Sequence, residues 1–298
     1  MLGSNPDDAA LGDALPNAAA DSRSQILVGD ASSVLKGLAS DTYQTCVTSP
    51  PYFGLRDYGL DRDIQIGAED SLADYLQRLV GVFEEVRRVL KPTGTMWLNM
   101  GNSYTSGNRT WRAPDKKNPA RGMDYRPPTP EGLKPKDLIG VPWMLAIDLQ
   151  RAGWYLRSDI IWHKPNCQPE SVQDRPTTAH EYLFLFAKSE KYLYNAKAVL
   201  EPTKDGRSRR NRRTVWEIPT EPLAEAHFAT FPPALVEPCI LAGSNPGDMI
   251  LDPFIGSGTV GLVANRLARA FTGIDANPIY GALAARRTGA TVSCAGEE

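Results

Sequence analysis

The chain reads as an α/β protein built on a doubly wound, mainly parallel sheet, and three features of its sequence lead there. Short apolar runs that end in Gly, Asp or Pro alternate with helical patterns, the order of a parallel sheet with crossover helices. One run, Glu181–Ala187, is apolar almost throughout, as a strand covered on both faces requires. Leu72, Tyr75, Leu76, Leu79, Phe83, Val86 and Leu90 recur at three- and four-residue spacing, which describes one long amphipathic helix able to lie on such a sheet.

Residues 1–24 are rich in Ala, Asp, Asn and Pro without apolar periodicity, so a disordered tail is expected there and a single domain over 25–298. Ile26-Leu27-Val28 forms a first strand, closed by Gly29-Asp30, and Thr45–Thr48 a second that runs into Ser49-Pro50-Pro51-Tyr52. The long helix follows, with Asp70 and Ser71 placed to cap it; Lys91-Pro92-Thr93-Gly94 stops it and Thr95–Asn99 is the next buried strand. Residues 102–137 carry many Pro, Gly, Asn, Arg and Lys and no sustained period, and so long a loop in a compact domain is usually functional or disordered. A helix over Trp143–Arg151, stopped by Gly153, leads to strands at Ser158–Trp162 and Glu181–Ala187. The C-terminal part continues the alternation with a strand at Met249–Leu251, a helix over Gly258–Arg269, a strand at Phe271–Ile274 and a helix over Ile279–Arg287.

Composition narrows the function classes. With 298 residues, 42% hydrophobic and 23% charged, the chain can bury a substantial core, and no apolar run approaches the length that crosses a bilayer. The N-terminus has no basic segment followed by an apolar core, so the cytoplasm is the expected location. Cys46, Cys167, Cys239 and Cys294 are scattered without a CxxC pair, and His163, His180 and His227 are far apart, so reduced thiols and no metal site are expected. A net charge of -2 does not advertise nucleic-acid binding, which needs only a local positive surface.

Two motifs carry the chemistry. In Leu251-Asp252-Pro253-Phe254-Ile255-Gly256-Ser257-Gly258-Thr259 a strand enters a Gly-rich turn that opens a helix, and the missing side chains at Gly256 and Gly258 let a ligand approach the backbone. A plain tight turn would use the same residues. Further on, Gly273-Ile274-Asp275 sets a carboxylate at the end of the next strand, where ribose hydroxyls are bound in such folds; a cap for the helix at Asn277-Pro278 is the simpler role. The turn lacks GxGxxG spacing and any Lys or Arg for a pyrophosphate, which favours a cofactor with an adenosine but no phosphates. The second motif, Thr48-Ser49-Pro50-Pro51-Tyr52, is stiff, because the two prolines fix their own φ and offer no N–H. It presents acceptors, the Ser49 hydroxyl and the Pro50 carbonyl, beside the planar face of Tyr52, a set that suits a base bearing an amino group. A strand-ending turn with Tyr52 in the core is the structural alternative.

Together these residues resemble the amino-methylating DNA methyltransferases, and the likeness extends to Ser158–Asn166, Asp174–Thr177 and His227–Pro232, spanning about residues 25–288. The catalytic motif precedes the cofactor motif, as in the permuted beta-type members. The resemblance implies a sheet of the S-adenosylmethionine-dependent methyltransferase type, with Ser49, Pro50, Pro51 and Tyr52 catalytic and Asp30, Asp252, Phe254, Gly256, Gly258 and Asp275 around S-adenosyl-L-methionine. It implies methylation of an exocyclic nitrogen on a base flipped from double-stranded DNA: cytosine N4, which the family associates with serine before Pro-Pro-Tyr, or adenine N6, associated more often with aspartate. No membrane is involved; a cognate restriction endonuclease and a homodimer stay open as partners.

The DNA-recognition segment is expected at about 195–220, where Lys204, Arg207, Arg209, Arg210, Arg212 and Arg213 are opposed within the run only by Asp205. A solvated loop is the usual alternative for such a run. Arg109, Arg112, Lys116, Lys117, Arg121 and Arg126, interleaved with Trp111 and Tyr125, form a second, weaker candidate.

Overall fold

In a computed structural model of the protein, residues 21–105, 111–113, 122–123, 125–221 and 231–294 are described. The first elements are β1 (Gln25–Val28), α1 (Ala31–Gly37), β2 (Tyr43–Thr48), α2 (Leu72–Val89), β3 (Leu90–Met100), α3 (Val141–Arg151), β4 (Tyr155–His163) and β5 (His180–Ala187). After a short 3-10 turn come β6 (Glu201–Pro202), β7 (Arg209–Arg210), β8 (Val215–Glu217), α4 (Pro233–Gly243), β9 (Met249–Asp252), α5 (Thr259–Arg266), β10 (Ala270–Asp275), α6 (Pro278–Thr288) and β11 (Thr291–Cys294).

Nine strands form one sheet in the order β11-β1-β10-β9-β2-β3-β5-β4-β8. Every neighbour pair is parallel except those that β5 makes with β3 and β4, so β5 alone among these runs against the rest. The doubly wound expectation holds: α1, α2 and α3 pack on one face and α4, α5 and α6 on the other. Alternate residues of the central strands feed the two layers. Cys46, Met96, Leu98, Phe184 and Phe186 join the first, while Val47, Trp97, Leu183 and Leu185 join the second. Both side-chain sets are therefore apolar, which is why these strands read as unbroken apolar runs rather than alternating ones.

The long helix forms as its spacing predicts. Tyr75, Leu76, Leu79, Val82, Phe83, Val86 and Val89 are buried, and the Ser71 hydroxyl accepts the Asp74 N–H to cap the first turn. Elsewhere the local signals were weaker than the structure. Helix α1 has only 7 residues, too few for a period, and its start is marked by Asp30, whose carboxylate caps Ser33. Helix α4 escaped notice for the opposite reason: seven of its residues are buried, so it has little polar face, and Pro238 inside it reads as a breaker. Helix α5 ends at Arg266, short of the expected Arg269, because Ala268 turns to φ 58° and sends Arg269 inward. There its guanidinium donates to the Ser244 carbonyl and hydroxyl.

Helix α4 meets the sheet closely. Thr45 and Thr95, neighbours on β2 and β3, share a 2.8 Å hydroxyl hydrogen bond directly beneath Gly243. A Cβ on Gly243 would sit 2.7 Å from one hydroxyl and 2.8 Å from the other. Gly243→Ala is expected to destabilise the protein by about 1–3 kcal/mol, read as a lower urea midpoint, because neither strand can retreat.

Candidate active site

Parallel strands bring their C-terminal ends to one edge of the sheet, where crossover connections leave a crevice for ligands. Along that edge, in strand order, stand Asp30 beyond β1, Asp275 ending β10, Asp252 ending β9, Ser49 beyond β2 and Gly101 beyond β3. The reversed strand β5 contributes its start instead of its end, since Met100 pairs with Tyr182, so Glu181 arrives at the same edge.

The two motifs, two hundred residues apart in the chain, meet because β2 pairs directly with β9, Cys46 opposite Leu251. The Thr48 hydroxyl donates to Asp252 Oδ1 at 2.7 Å, and the Phe254 N–H reaches the same oxygen at 3.1 Å. Asp252 is 1% exposed, and burial pushes its carboxyl up to about 7 against the pull of those two donors. Asp275 accepts the Gly256 N–H at 3.0 Å on one oxygen and the Asn277 N–H at 2.8 Å on the other; burial raises it to about 6. Among the described residues neither carboxylate has a basic side chain in an ion pair. A buried acid and a half-buried one of this kind suit a cationic ligand, whose charge would favour their ionised forms.

The turn between them leaves room. Gly256 has φ 49°, and a Cβ built on it would meet nothing closer than the Phe254 carbonyl at 3.9 Å. Gly258, at φ 85°, starts α5 and lies against Ala284, where a Cβ would come within 3.0 Å of the backbone. Phe254 itself is half-buried and packs edge-on against Phe83 of α2 at 6.4 Å. Asp30 reaches the edge but is engaged locally: one oxygen accepts the Ser33 N–H and hydroxyl, and the other lies 3.7 Å from Arg78.

Around the proline turn the contacts are mostly internal. The Pro51 carbonyl accepts the Tyr75 hydroxyl at 2.8 Å, so that acceptor is engaged by α2. Arg78 pins residues 63–69 beside the turn by donating to the carbonyls of Asp63, Ile64 and Gln65 and to Glu69. Gly67 lies so near that a Cβ on it would stand 2.8 Å from the Tyr52 carbonyl. Tyr52 is half-buried, and its hydroxyl donates to Glu181 Oε2 at 3.1 Å. Burial first, and the Glu181 charge second, hold that phenol well above its ordinary range.

Sequence reasoning missed Glu181, Lys164, Gly101 and Arg78. Glu181 had a visible signal, a lone acid in an otherwise apolar strand. The others are unremarkable until the fold sets them against the turn.

The basic run needs correcting. Residues 201–202 and 209–210 form a small antiparallel hairpin, and it brings Glu201 onto Arg210 at 2.9 Å and Arg213 at 2.8 Å. Asp205 is thus not the only acid facing the run; Glu201 lies outside the window that the sequence reading counted. Arg209 donates to the Leu200 carbonyl, and Arg212 stacks over Trp216 at 4.4 Å. Lys204 and Arg207 are exposed. In the second basic candidate, Arg109, Lys116, Lys117 and Arg121 lie outside the described residues, while Trp111 is 63% exposed and Tyr125 donates to Asp70 beneath the Arg62 guanidinium. His163 faces Glu217 at 3.3 Å, His180 packs on Tyr182, and His227 lies outside the described residues. Among the described residues no three His, Cys, Asp or Glu side chains gather as a metal site. A crevice of about 300 Å³ lined by Trp97, Tyr194, Arg212 and Trp216 shares no residue with the strand-end line.

Comparison with known proteins agrees with this geometry. Residues 43–286 match the family model described as DNA methylase, for N6 and N4 methyltransferases. The chain is 59% identical to the type II methyltransferase M.SmaI of Serratia marcescens over 264 residues, covering 88% of this chain and 90% of that protein. It is 61% identical to the type II methyltransferase M.Cfr9I of Citrobacter freundii, covering 87% and 85%. Among solved structures it shares the fold of the PvuII DNA methyltransferase (cytosine-N4-specific), with a TM-score of 0.66 at 20% identity over 90% of this chain and 87% of that one. A putative DNA modification methylase from Thermus thermophilus, complexed with S-adenosyl-L-methionine, matches at a TM-score of 0.60 and 24% identity over 91% and 99%.

The two raised carboxyls have a consequence for stability. Their folded values exceed the roughly 3.9 of an unfolded Asp, so between about pH 4 and 7 the native state holds protons that the unfolded chain has released. Stability therefore falls as pH rises through that window. Asp252→Asn removes one of these sites, so from pH 5 to pH 8 the wild type is expected to lose about 1–3 kcal/mol more than the variant in urea unfolding.

Proposed function

The chain belongs to the DNA methylase family, and we propose that it transfers a methyl group from S-adenosylmethionine to N4 of a cytosine flipped out of duplex DNA. The observation that carries this reading is the Thr48–Asp252 hydrogen bond, which ties a base-gripping turn to a cofactor turn at adjacent strand ends. The residues present fit the cofactor: Gly256 borders open space, and Asp252, buried, and Asp275, half-buried, are carboxyls without cationic partners among the described residues. Asp30, Asp252, Phe254, Gly256, Gly258 and Asp275 would hold it, with Asp275 still able to accept ribose hydroxyls on its free lone pairs. When bound, the cofactor supplies an electrophilic methyl group on a positively charged sulfur.

The protein's part is to make a poor nucleophile react. An exocyclic amine has its lone pair delocalised into the ring. The Ser49 hydroxyl and the Pro50 carbonyl accept its two hydrogens and favour a tetrahedral nitrogen whose lone pair faces the donor. These fixed dipoles also stabilise the positive charge that develops on nitrogen. The ring of Tyr52 covers the base plane and replaces part of the stacking lost on flipping. Prolines at 50 and 51 keep the acceptors from relaxing. Lys204 and Arg207, exposed as Lys197, Arg209 and Arg213 also are, are assigned to DNA phosphates; Arg209, Arg210, Arg212 and Arg213 contribute once their internal contacts loosen. The type II methyltransferase relatives support a role in DNA modification, and a cognate restriction endonuclease is the partner that this reading proposes.

Ser49 selects cytosine N4 in this reading. Incubation of unmethylated DNA with the protein and tritiated S-adenosylmethionine, followed by nucleoside mass spectrometry, is expected to yield N4-methylcytosine. N6-methyladenine alone overturns the choice of base, and absence of any methylated nucleoside overturns the enzyme reading. Ser49→Ala is expected to slow methyl transfer by about 10²–10³-fold through loss of one aimed acceptor. Tyr52→Ala is expected to abolish detectable transfer; an unchanged rate removes the stacking role.

A further inference from the structure

We propose that Glu181 terminates a proton relay that leads from the target amine through the hydroxyls of Ser49 and Tyr52, with Lys164 holding it in place. The proposal rests on the methyltransferase reading above and supplies the acceptor that this reading leaves unassigned.

The geometry begins with topology. Because β5 is reversed, its start rather than its end faces the site, and Glu181 is the one charged side chain of the run Glu181–Ala187. Both of its oxygens are engaged. Oε2 accepts the Tyr52 hydroxyl at 3.1 Å, and Oε1 is paired with the Lys164 ammonium. That ammonium lies 4.1 Å from the centre of the Trp162 ring, and the Lys164 and Glu181 side chains are 17% and 20% exposed. Gly101 makes the contact possible. A Cβ there would stand 2.9 Å from the Tyr52 ring and 3.2 Å from the Glu181 side chain, so any larger residue at the exit of β3 would part them.

Hydrogen counting then gives the relay a direction. Tyr52 has one hydroxyl hydrogen, and it is donated to Glu181. Ser49 stands three residues before Tyr52 on the same turn, and the relay has its hydroxyl donate to that of Tyr52, whose own hydrogen is already engaged. The Ser49 lone pairs are left to accept the amine. Each link thus points from base to carboxylate.

After methyl transfer the nitrogen carries a positive charge and two hydrogens. One N–H bond breaks toward Ser49 Oγ as the Ser49 O–H bond breaks toward Tyr52 Oη and the Tyr52 O–H bond toward Glu181 Oε2. The nitrogen lone pair returns to the ring, both hydroxyls are restored, and one proton has moved to Glu181. No oxidation or reduction is involved. The partial exposure of Glu181 lets water take the proton. While charge develops on the amine, the carboxylate at the far end also strengthens each hydrogen bond in the chain.

Single-turnover methylation at saturating donor and DNA, followed from pH 5.5 to 9, tests this. Glu181→Gln keeps an acceptor for Tyr52 but cannot take a proton. It is expected to slow transfer about 10²-fold with donor and DNA affinity unchanged within threefold, and to give a dependence of rate on pH different from that of the wild type. Tyr52→Phe keeps the ring and cuts the relay, and is expected to lose a similar factor. The double variant should be no slower than the slower single, as for residues that act as one unit. Glu181→Asp should recover part of the rate. An active wild type whose Glu181→Gln variant is within threefold of it, or losses that multiply in the double variant, overturns the relay alone. A wild type that makes no methylated nucleoside overturns both readings. Should Glu181→Gln not fold, Tyr52→Phe decides: full activity in that variant ends the proposal.

Discussion

The site depends on a single lateral contact in the sheet, the pairing of β2 with β9, sealed at the strand ends by the Thr48 hydroxyl on Asp252. Parallel strands need long crossovers, so neighbours in the sheet are remote in the chain. Here that remoteness is useful: the turn that would grip a base and the turn that would hold a donor come from opposite halves of the sequence and meet at one edge. Helix α4 presses on β2 and β3 through Gly243, and α2 fastens the proline turn through Tyr75 and its flanking loop through Arg78. The rigidity of Ser49–Tyr52 is therefore supported from both faces of the sheet as well as by its prolines.

Electrostatics divides the edge into two regions. Toward β9 and β10 stand the carboxyls of Asp252, buried, and Asp275, half-buried, hydrogen-bonded by backbone N–H groups and without ion-paired cations among the described residues. Toward β3 and β5 the single carboxylate, Glu181, is matched by Lys164 and tied to Tyr52. The first arrangement leaves unspent negative potential for a cationic ligand, while the second is balanced and able to pass a proton. That contrast separates donor binding from base handling within one crevice.

The basic segment shows how charge counted along a chain differs from charge presented to a partner. Six cations within ten residues suggested an open phosphate-binding surface. The β6–β7 hairpin folds two of them onto Glu201, and Trp216 takes a third by stacking. Lys204 and Arg207 stay exposed, and the segment's net positive character survives in reduced form.

By itself the sequence determined the fold class, the principal strands and long helix, and the two motifs, because each is written in local chemistry: continuous apolar runs for covered strands, helical spacing for α2, prolines and glycines where the backbone must be stiff or bare. It left α1 and α4 unread, the one too short for a period and the other buried nearly all round behind an internal proline. Only the tertiary structure decided which strands are neighbours, that β5 is reversed, and hence that Glu181, Lys164 and Gly101 stand beside Tyr52. The physical reason is that strand order is chosen by the fit of both faces against six helices, a property summed over the whole core that no short window of residues contains.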